Sequence, residues 1–219
     1  MIMLDEMLAS LDKDLKMMFD KTIKAHNHAV ESLLQADNKK AEDVIEKDDE
    51  INKLEETINY DVMITIAKYQ PVATDLRKLI SIIKISSNLE RIADYAKTIS
   101  RTAIVNNDET FLSEMFLKNT LTITNITTQM LEDALVAFEE LDAKKAQKII
   151  DDEHEIANLV KETIRNNPFE LIKEDNVDSY VLLMSVIRTL ERSRGHIANI
   201  CEAIIFADNG AFLELNKYA

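Results

Sequence analysis

Residues 41–54, Ala41-Glu42-Asp43-Val44-Ile45-Glu46-Lys47-Asp48-Asp49-Glu50-Ile51-Asn52-Lys53-Leu54, carry small or aliphatic side chains at 41, 44, 45, 51 and 54. Steps of three and four lay these on one face of an α-helix. The pattern returns 105 residues later as Ala146-x-x-Ile149-Ile150-x-x-Glu153-x-x-Ile156-x-x-Leu159. Farther along, Leu89-Glu90-Arg91 returns as Leu190-Glu191-Arg192, an offset of 101, so the second copy has lost four residues between its middle and last segments. The stretch from Asn166 to Asp178, where the copies agree least, is the expected place of that loss. A repeat of this length is the signature of a duplicated supersecondary unit.

Rare breakers mark out the rest: Asp37-Asn38, Gln70-Pro71, Asn106-Asn107-Asp108, Leu141-Asp142, Asn166-Asn167-Pro168 and Asp208-Asn209-Gly210. Between them run six segments with helical spacing, roughly 4–35, 39–69, 71–104, 109–140, 142–166 and 177–208. The expected fold is all-α: two tandem three-helix bundles, residues 1–106 and 107–219, joined near Asn106 to Asp108. Pro71 suits the first position of the third helix, with Asp75 close behind at the positive end of the dipole.

Composition narrows the function. Two glycines and two prolines in 219 residues exclude phosphate loops, dinucleotide-binding turns and nucleophile elbows. A net charge of -14 with no basic cluster argues against nucleic acid and against an anionic membrane face, and suits basic partner segments or cations. The longest charge-free run, Asn119 to Leu131, is rich in Thr and Asn and shorter than the ~20 apolar residues of a spanning helix. The start lacks the basic and apolar regions of a signal peptide, and the lone Cys201 forms no intrachain disulfide, so the expected address is cytoplasmic.

Most of the polarity reads as surface. Arg77, Ser81, Lys84, Asn88, Arg91 and Tyr95 share one arc of the third helix and are expected to be solvated. Glu90 and Asp94 depart from this: at ~100° per residue they fall within about 60° of Leu76, Leu79, Ile80 and Ile83, on the stripe that should meet another helix. The second helix repeats the anomaly with Asp48, Asn52, Glu55 and Asn59 along the face of Ala41, Val44, Ile45 and Ile66. Facing carboxylate rows repel unless protonated, paired to bases or bridged by a cation, and oxygen-rich sets on adjacent helices are how bundles hold metals. One reading is a metal site at Asp48, Asn52, Glu90 and Asp94. The other is a stripe open to water or salt-bridged to Arg or Lys of a neighbouring helix.

Lesser candidates read as structural. His26 and His28 point to different faces and are expected in solvent. Cys201, among Ile197, Ile200 and Ile204, reads as a small buried hydrophobe. Met3, Met7, Met17 and Met18 read as core filling, with a partner-helix surface as the sharper alternative. Asp151-x-x-His154 is the nearest approach to the Glu-x-x-His of di-iron bundles, which occurs nowhere, and no base–nucleophile set is present; a binding protein rather than an enzyme is expected.

At Gln70-Pro71-Val72-Ala73-Thr74-Asp75-Leu76-Arg77 and Leu89-Glu90-Arg91-Ile92-Ala93-Asp94-Tyr95-Ala96 the chain resembles the PhoU family of bacterial phosphate-uptake regulators. Asp48-Asp49-Glu50-Ile51-Asn52-Lys53-Leu54-Glu55 is similar to the family's helix-two motif, and Leu190-Glu191-Arg192 through His196, Asn199 and Glu202 to its repeat-two counterpart; the resemblance runs from about residue 3 to 207. It implies two pseudo-symmetric three-helix bundles and a cytoplasmic, non-catalytic accessory of the high-affinity phosphate transporter. Such a protein links the ATPase of the phosphate ABC transporter to a membrane sensor histidine kinase, keeps the phosphate-starvation response off when phosphate is plentiful, and forms a homodimer that meets the membrane only through partners. It also implies metal, usually iron or zinc, with manganese or magnesium as further candidates, held by paired acidic motifs. Here the first pair reads Asp48-x-x-x-Asn52 with Glu90-x-x-x-Asp94. The second reads Glu153-x-x-x-Ala157 with Glu191-x-x-x-Gly195, leaving Glu153, Glu191 and Glu202 to hold a weaker ion. The tail 209–219 departs from the family's usual ending and receives no role. Decay of the second pair keeps a rival open: a diverged helical scaffold, or a metal-binding protein, without a phosphate role.

Overall fold

A computed structural model describes residues 2–105, 114–152 and 177–210, and among these all regular structure is helical. The helices are α1 (Ile2–Leu34), α2 (Asn38–Tyr69), α3 (Ala73–Val105), α4 (Glu114–Glu140), α5, described over 143–152, and α6 (Val177–Asn209). The expected joint at 106–108, the bend from Asn166, and residues Glu153, His154 and Ala157 lie outside the described residues.

With so few glycines, the turns are made by other residues held at positive φ. Ala36 (φ 47°) ends α1 and Asp37 caps α2, its carboxylate accepting the Lys40 N–H at 3.1 Å. One repeat later Leu141 (φ 49°) ends α4, and Asp142 accepts the N–H groups of Lys144 and Lys145 at 2.9 and 3.1 Å. These positions again lie 105 apart, so the duplication extends to backbone conformation and capping. Gln70 closes α2 in the left-handed region, its N–H donating to the Ile66 carbonyl. Pro71 is buried in the turn that follows rather than at the first position of α3, while Asp75 does occupy the first turn of that helix.

Helix α2 packs on α1 and α3, α1 also on α4, and α6 on both α3 and α4. The two repeats therefore share one core, in which Leu11, Phe19, Ile82 and Leu89 join Met130, Leu131, Ile200 and Ile204. Met18 is part of it, but Met3 and Met17 are exposed, contrary to the reading of the methionines as core filling.

The polar arc of α3 departs from expectation in part: Lys84 and Arg91 are exposed, but Arg77, Ser81, Asn88 and Tyr95 form the seam to α6. Buried Ser81 donates to the Ala203 carbonyl at 2.7 Å, and Arg77 donates to the Ala207 and Asp208 carbonyls at 3.4 and 3.3 Å. Asn88 Oδ1 lies 2.8 Å from His196 Nδ1 and accepts from Asn199 at 3.2 Å; Tyr95 Oη lies 3.2 Å from His196 Nε2. The pairing runs antiparallel. Tyr95 and His196 are separated by the repeat offset of 101, so each meets its own counterpart and the pseudo-two-fold axis passes between them. Helices wide apart would leave these polar groups to water; the short Ser81 and Ala203 side chains permit the close approach that pairs them instead.

Gly195 lies within α6, where glycine costs up to ~1 kcal/mol relative to alanine, and a Cβ there would meet nothing within 4 Å. No packing demand justifies it. Gly195→Ala is expected to stabilise the fold by up to ~1 kcal/mol, read as a raised urea midpoint at unchanged slope.

Candidate functional site

The anomalous carboxylates line the antiparallel seam between α2 and α3. Lys97 Nζ contacts Asp48 Oδ2 at 2.5 Å at one end, and Ser86 Oγ donates to Asn59 Oδ1 at 3.3 Å farther along. Between them lie Asn52, Glu55, Glu90 and Asp94. Asp48 is 2% exposed, as its place on the apolar face predicts. Asn52 and Glu90 are half-buried.

The seam divides into two groups. In the first, Asn52 Nδ2 donates to Asp48 Oδ2 at 3.2 Å, on the same carboxylate oxygen that Lys97 holds. Asp48 Oδ1 and Asn52 Oδ1 are both buried without a hydrogen-bond partner. In the second, burial raises the pKa of Glu90, and neighbouring Asp94, which also hydrogen-bonds it, and Glu55 push the same way against the opposing Arg91. Arg91 reaches Glu90 Oε2 at 3.4 Å and Asp94 Oδ2 at 3.5 Å. Asn59 Nδ2 donates to Glu55 Oε1 at 2.5 Å.

The sequence left open whether these carboxylates are salt-bridged or hold a metal. Asp48 is salt-bridged across helices to a lysine, and the Glu90–Asp94 pair leans on an arginine of its own helix. Among the described residues, no three His, Cys, Asp or Glu side chains converge as a metal ion requires. The donors nonetheless suit a hard cation in kind, being carboxylate and amide oxygens, two of them buried and unpaired.

In the second repeat Glu191 and Glu202 are half-buried on α6, with Glu202 raised by burial against the opposing charge of Lys84. Exposed Gly195 stands at the counterpart of Asp94. His26 is fully buried, not solvated, and burial lowers its pKa to about 4. His28 faces the groove between α1 and α2. Cys201 is buried, as expected, and its thiol is pushed up to about 12, mainly by burial. The reading from residue types missed His196, whose partners Asn88 and Tyr95 lie on the arc taken for surface. The offset of 101 linking Tyr95 to His196 was the available signal.

The raised pKa of Glu90 means the folded protein binds its proton more tightly than the unfolded chain does. The favourable contribution is present in full below the ordinary glutamate pKa and is lost as pH rises through the folded value, leaving a penalty at neutral pH. Glu90→Gln is therefore expected to stabilise the protein at pH 7, with a gain that shrinks on acidification toward pH 4.5, in urea unfolding across that range.

The PhoU domain family model matches the chain twice, at residues 15–103 and 120–204. The phosphate-specific transport system accessory protein PhoU homolog 1 of Thermotoga maritima is 31% identical over 207 residues, 93% of this chain and 88% of that protein. The PhoU homolog of Clostridium acetobutylicum is 30% identical over 95% of both chains. Among solved structures, PhoU from Pseudomonas aeruginosa superposes with a TM-score of 0.87 at 31% identity, covering 94% of this chain and 99% of that one. The phosphate transport system regulatory protein PhoU from Streptococcus pneumoniae gives 0.86 at 26% identity, covering 97% and 100%. With both repeats matched and relatives of this identity spanning nearly its whole length, the chain belongs to the PhoU domain family.

Proposed function

We propose that this chain is a regulatory adaptor of phosphate homeostasis: a non-catalytic accessory of phosphate-specific transport that works by binding. Family membership across both repeats carries the reading, supported by relatives named as accessory proteins of that transport system. In this proposal the chain acts in the cytoplasm as a homodimer, contacts the ATPase of the phosphate ABC transporter and a membrane sensor histidine kinase, and holds the phosphate-starvation response off when phosphate is plentiful. None of its described helices is long and apolar enough to cross a membrane, which fits attachment through partners.

The proposal includes a metal ion, iron or zinc first and manganese or magnesium next, held by Asp48, Asn52, Glu90 and Asp94. The ion would neutralise the carboxylate seam and fix α2 against α3, and so shape the surface that partners meet. The unpaired Asp48 and Asn52 oxygens support it. The second set, Glu191 and Glu202 with Glu153 beyond the described residues, lacks the carboxylate at Gly195 and is assigned only a weaker ion.

A host deleted for this gene and carrying a phosphate-starvation reporter tests the regulatory role. In phosphate-rich medium, deletion should raise reporter output and the wild-type gene should silence it. The Glu90→Ala, Asp94→Ala double variant should silence it incompletely. Output unaffected by deletion would refute the proposal and favour the scaffold without a phosphate role, the reading that the loss of the second acidic pair suggests. Elemental analysis of chelator-stripped protein reloaded with iron, zinc or manganese should find at most a few ions per chain, and fewer in the double variant.

A further inference from the structure

We infer that Lys97 is a built-in competitor for the cation site: it neutralises Asp48 when no metal is bound, and a metal has to displace it to engage Asp48 and Asn52. This inference rests on the metal reading proposed above.

A carboxylate as buried as Asp48 requires a compensating charge or a full set of hydrogen bonds. Helix α2 supplies neither, since its neighbours one turn away are Val44, Ile45, Ile51 and Asn52, and the single Asn52 amide contact is 3.2 Å long. The positive charge comes from α3, as Lys97 Nζ at 2.5 Å. Lysine is suited to a contact that must be given up. Its ammonium is a point charge on a flexible four-carbon stem, and the Lys97 side chain is 21% exposed, so a route into water is open to it.

The pattern of satisfied and orphaned atoms marks the site. Lys97 and the Asn52 amide both hold Asp48 Oδ2, while Asp48 Oδ1 and Asn52 Oδ1 remain buried and unpaired. A metal drawn to these oxygens would sit beside the ammonium held on Oδ2 of the same carboxylate, and the repulsion between the two cations opposes loading until Lys97 swings out into water. Lys97 also follows Asp94 by three residues on the same helix face, so the repulsion would extend to any ion bridging Asp48 and Asp94. Arg91 is the weaker competitor, because its 3.4 and 3.5 Å contacts come from a 58% exposed side chain. Lys97 thus sets how much metal is needed for loading, and makes loading an exchange of one cation for another between α2 and α3.

Two measurements test this. In titrations of chelator-stripped full-length protein with zinc or manganese chloride, Lys97→Met should bind at least tenfold more tightly than wild type. In wild-type protein, acetylation of Lys97 by a trace of acetic anhydride, followed by mass spectrometry, should become several-fold faster on adding the same metal. Other lysines, such as Lys13, serve as internal reference. Metal binding of equal strength in wild type and Lys97→Met, or metal binding that leaves Lys97 labelling unchanged, overturns the competition and leaves the metal site standing. Binding by neither protein overturns both. Should Lys97→Met fail to fold, the labelling of wild type decides alone.

Discussion

The antiparallel contact of α3 with α6 is the constraint from which the rest follows. Helix α3 must satisfy α1, α2 and α6 at once, which leaves solvent, between its ends, only the stripe of Lys84, Ser87, Arg91, Thr98 and Arg101. Toward α1 it offers Leu79, Ile82, Leu89 and Ile92, all buried. Toward α6 it offers hydroxyls, amides and a guanidinium matched to backbone carbonyls and to the His196 ring. Apolar packing alone tolerates sliding, whereas the hydrogen bonds from Ser81 to the Ala203 carbonyl and from His196 to Asn88 Oδ1 fix one register, because any slip leaves buried polar groups unpaired. The third face, toward α2, is thereby held in place, and it carries the charged seam.

That seam is a compromise between helix packing and charge. An exposed ion pair contributes little, but Asp48 is buried and takes its compensating charge from Lys97, so the two act as a latch between helices that are already packed. Glu90 and Asp94 stand where water still reaches, and burial together with repulsion from Asp94 raises the pKa of Glu90. One end of the seam is thus internally neutralised, and the other carries charge in excess of its partners.

Helix number, the two repeats and the burial of Asp48 were legible because each rests on spacing within one segment. The 105-residue repeat even extends to the turns, with Ala36 and Leu141 at positive φ before capping Asp37 and Asp142. What was not legible is which polar arc faces a neighbour. Arg77, Ser81 and Asn88 read as surface because a helical wheel knows only its own helix, and a face that buries against matching polar groups has the composition of a solvated one. His26 was misread although it continues the stripe of Leu15, Phe19, Thr22, Val30 and Leu33 at steps of three and four, because its polarity was weighed above its position. Lys97 was invisible as a partner of Asp48, since the register of α2 on α3 comes from packing rather than from either sequence alone.

Duplication explains why the two halves have been able to diverge. A pseudo-two-fold axis through Tyr95 and His196 forces equivalent positions into contact, yet the side chains that meet there are already different and complementary, a phenol and an imidazole. Selection on the seam between repeats therefore acts on pairs, while positions away from the axis are free of their counterparts. Gly195, adjacent to the axis residue but pointing into open space, shows that freedom: its counterpart Asp94 belongs to the charged seam of the first repeat, and nothing packs where its own side chain would be. The shared core holds both repeats in one body, and the polar contact of α3 with α6 ties the register of the first repeat to that of the second. The second repeat contributes to that register with Gly195, not a carboxylate, at the equivalent place.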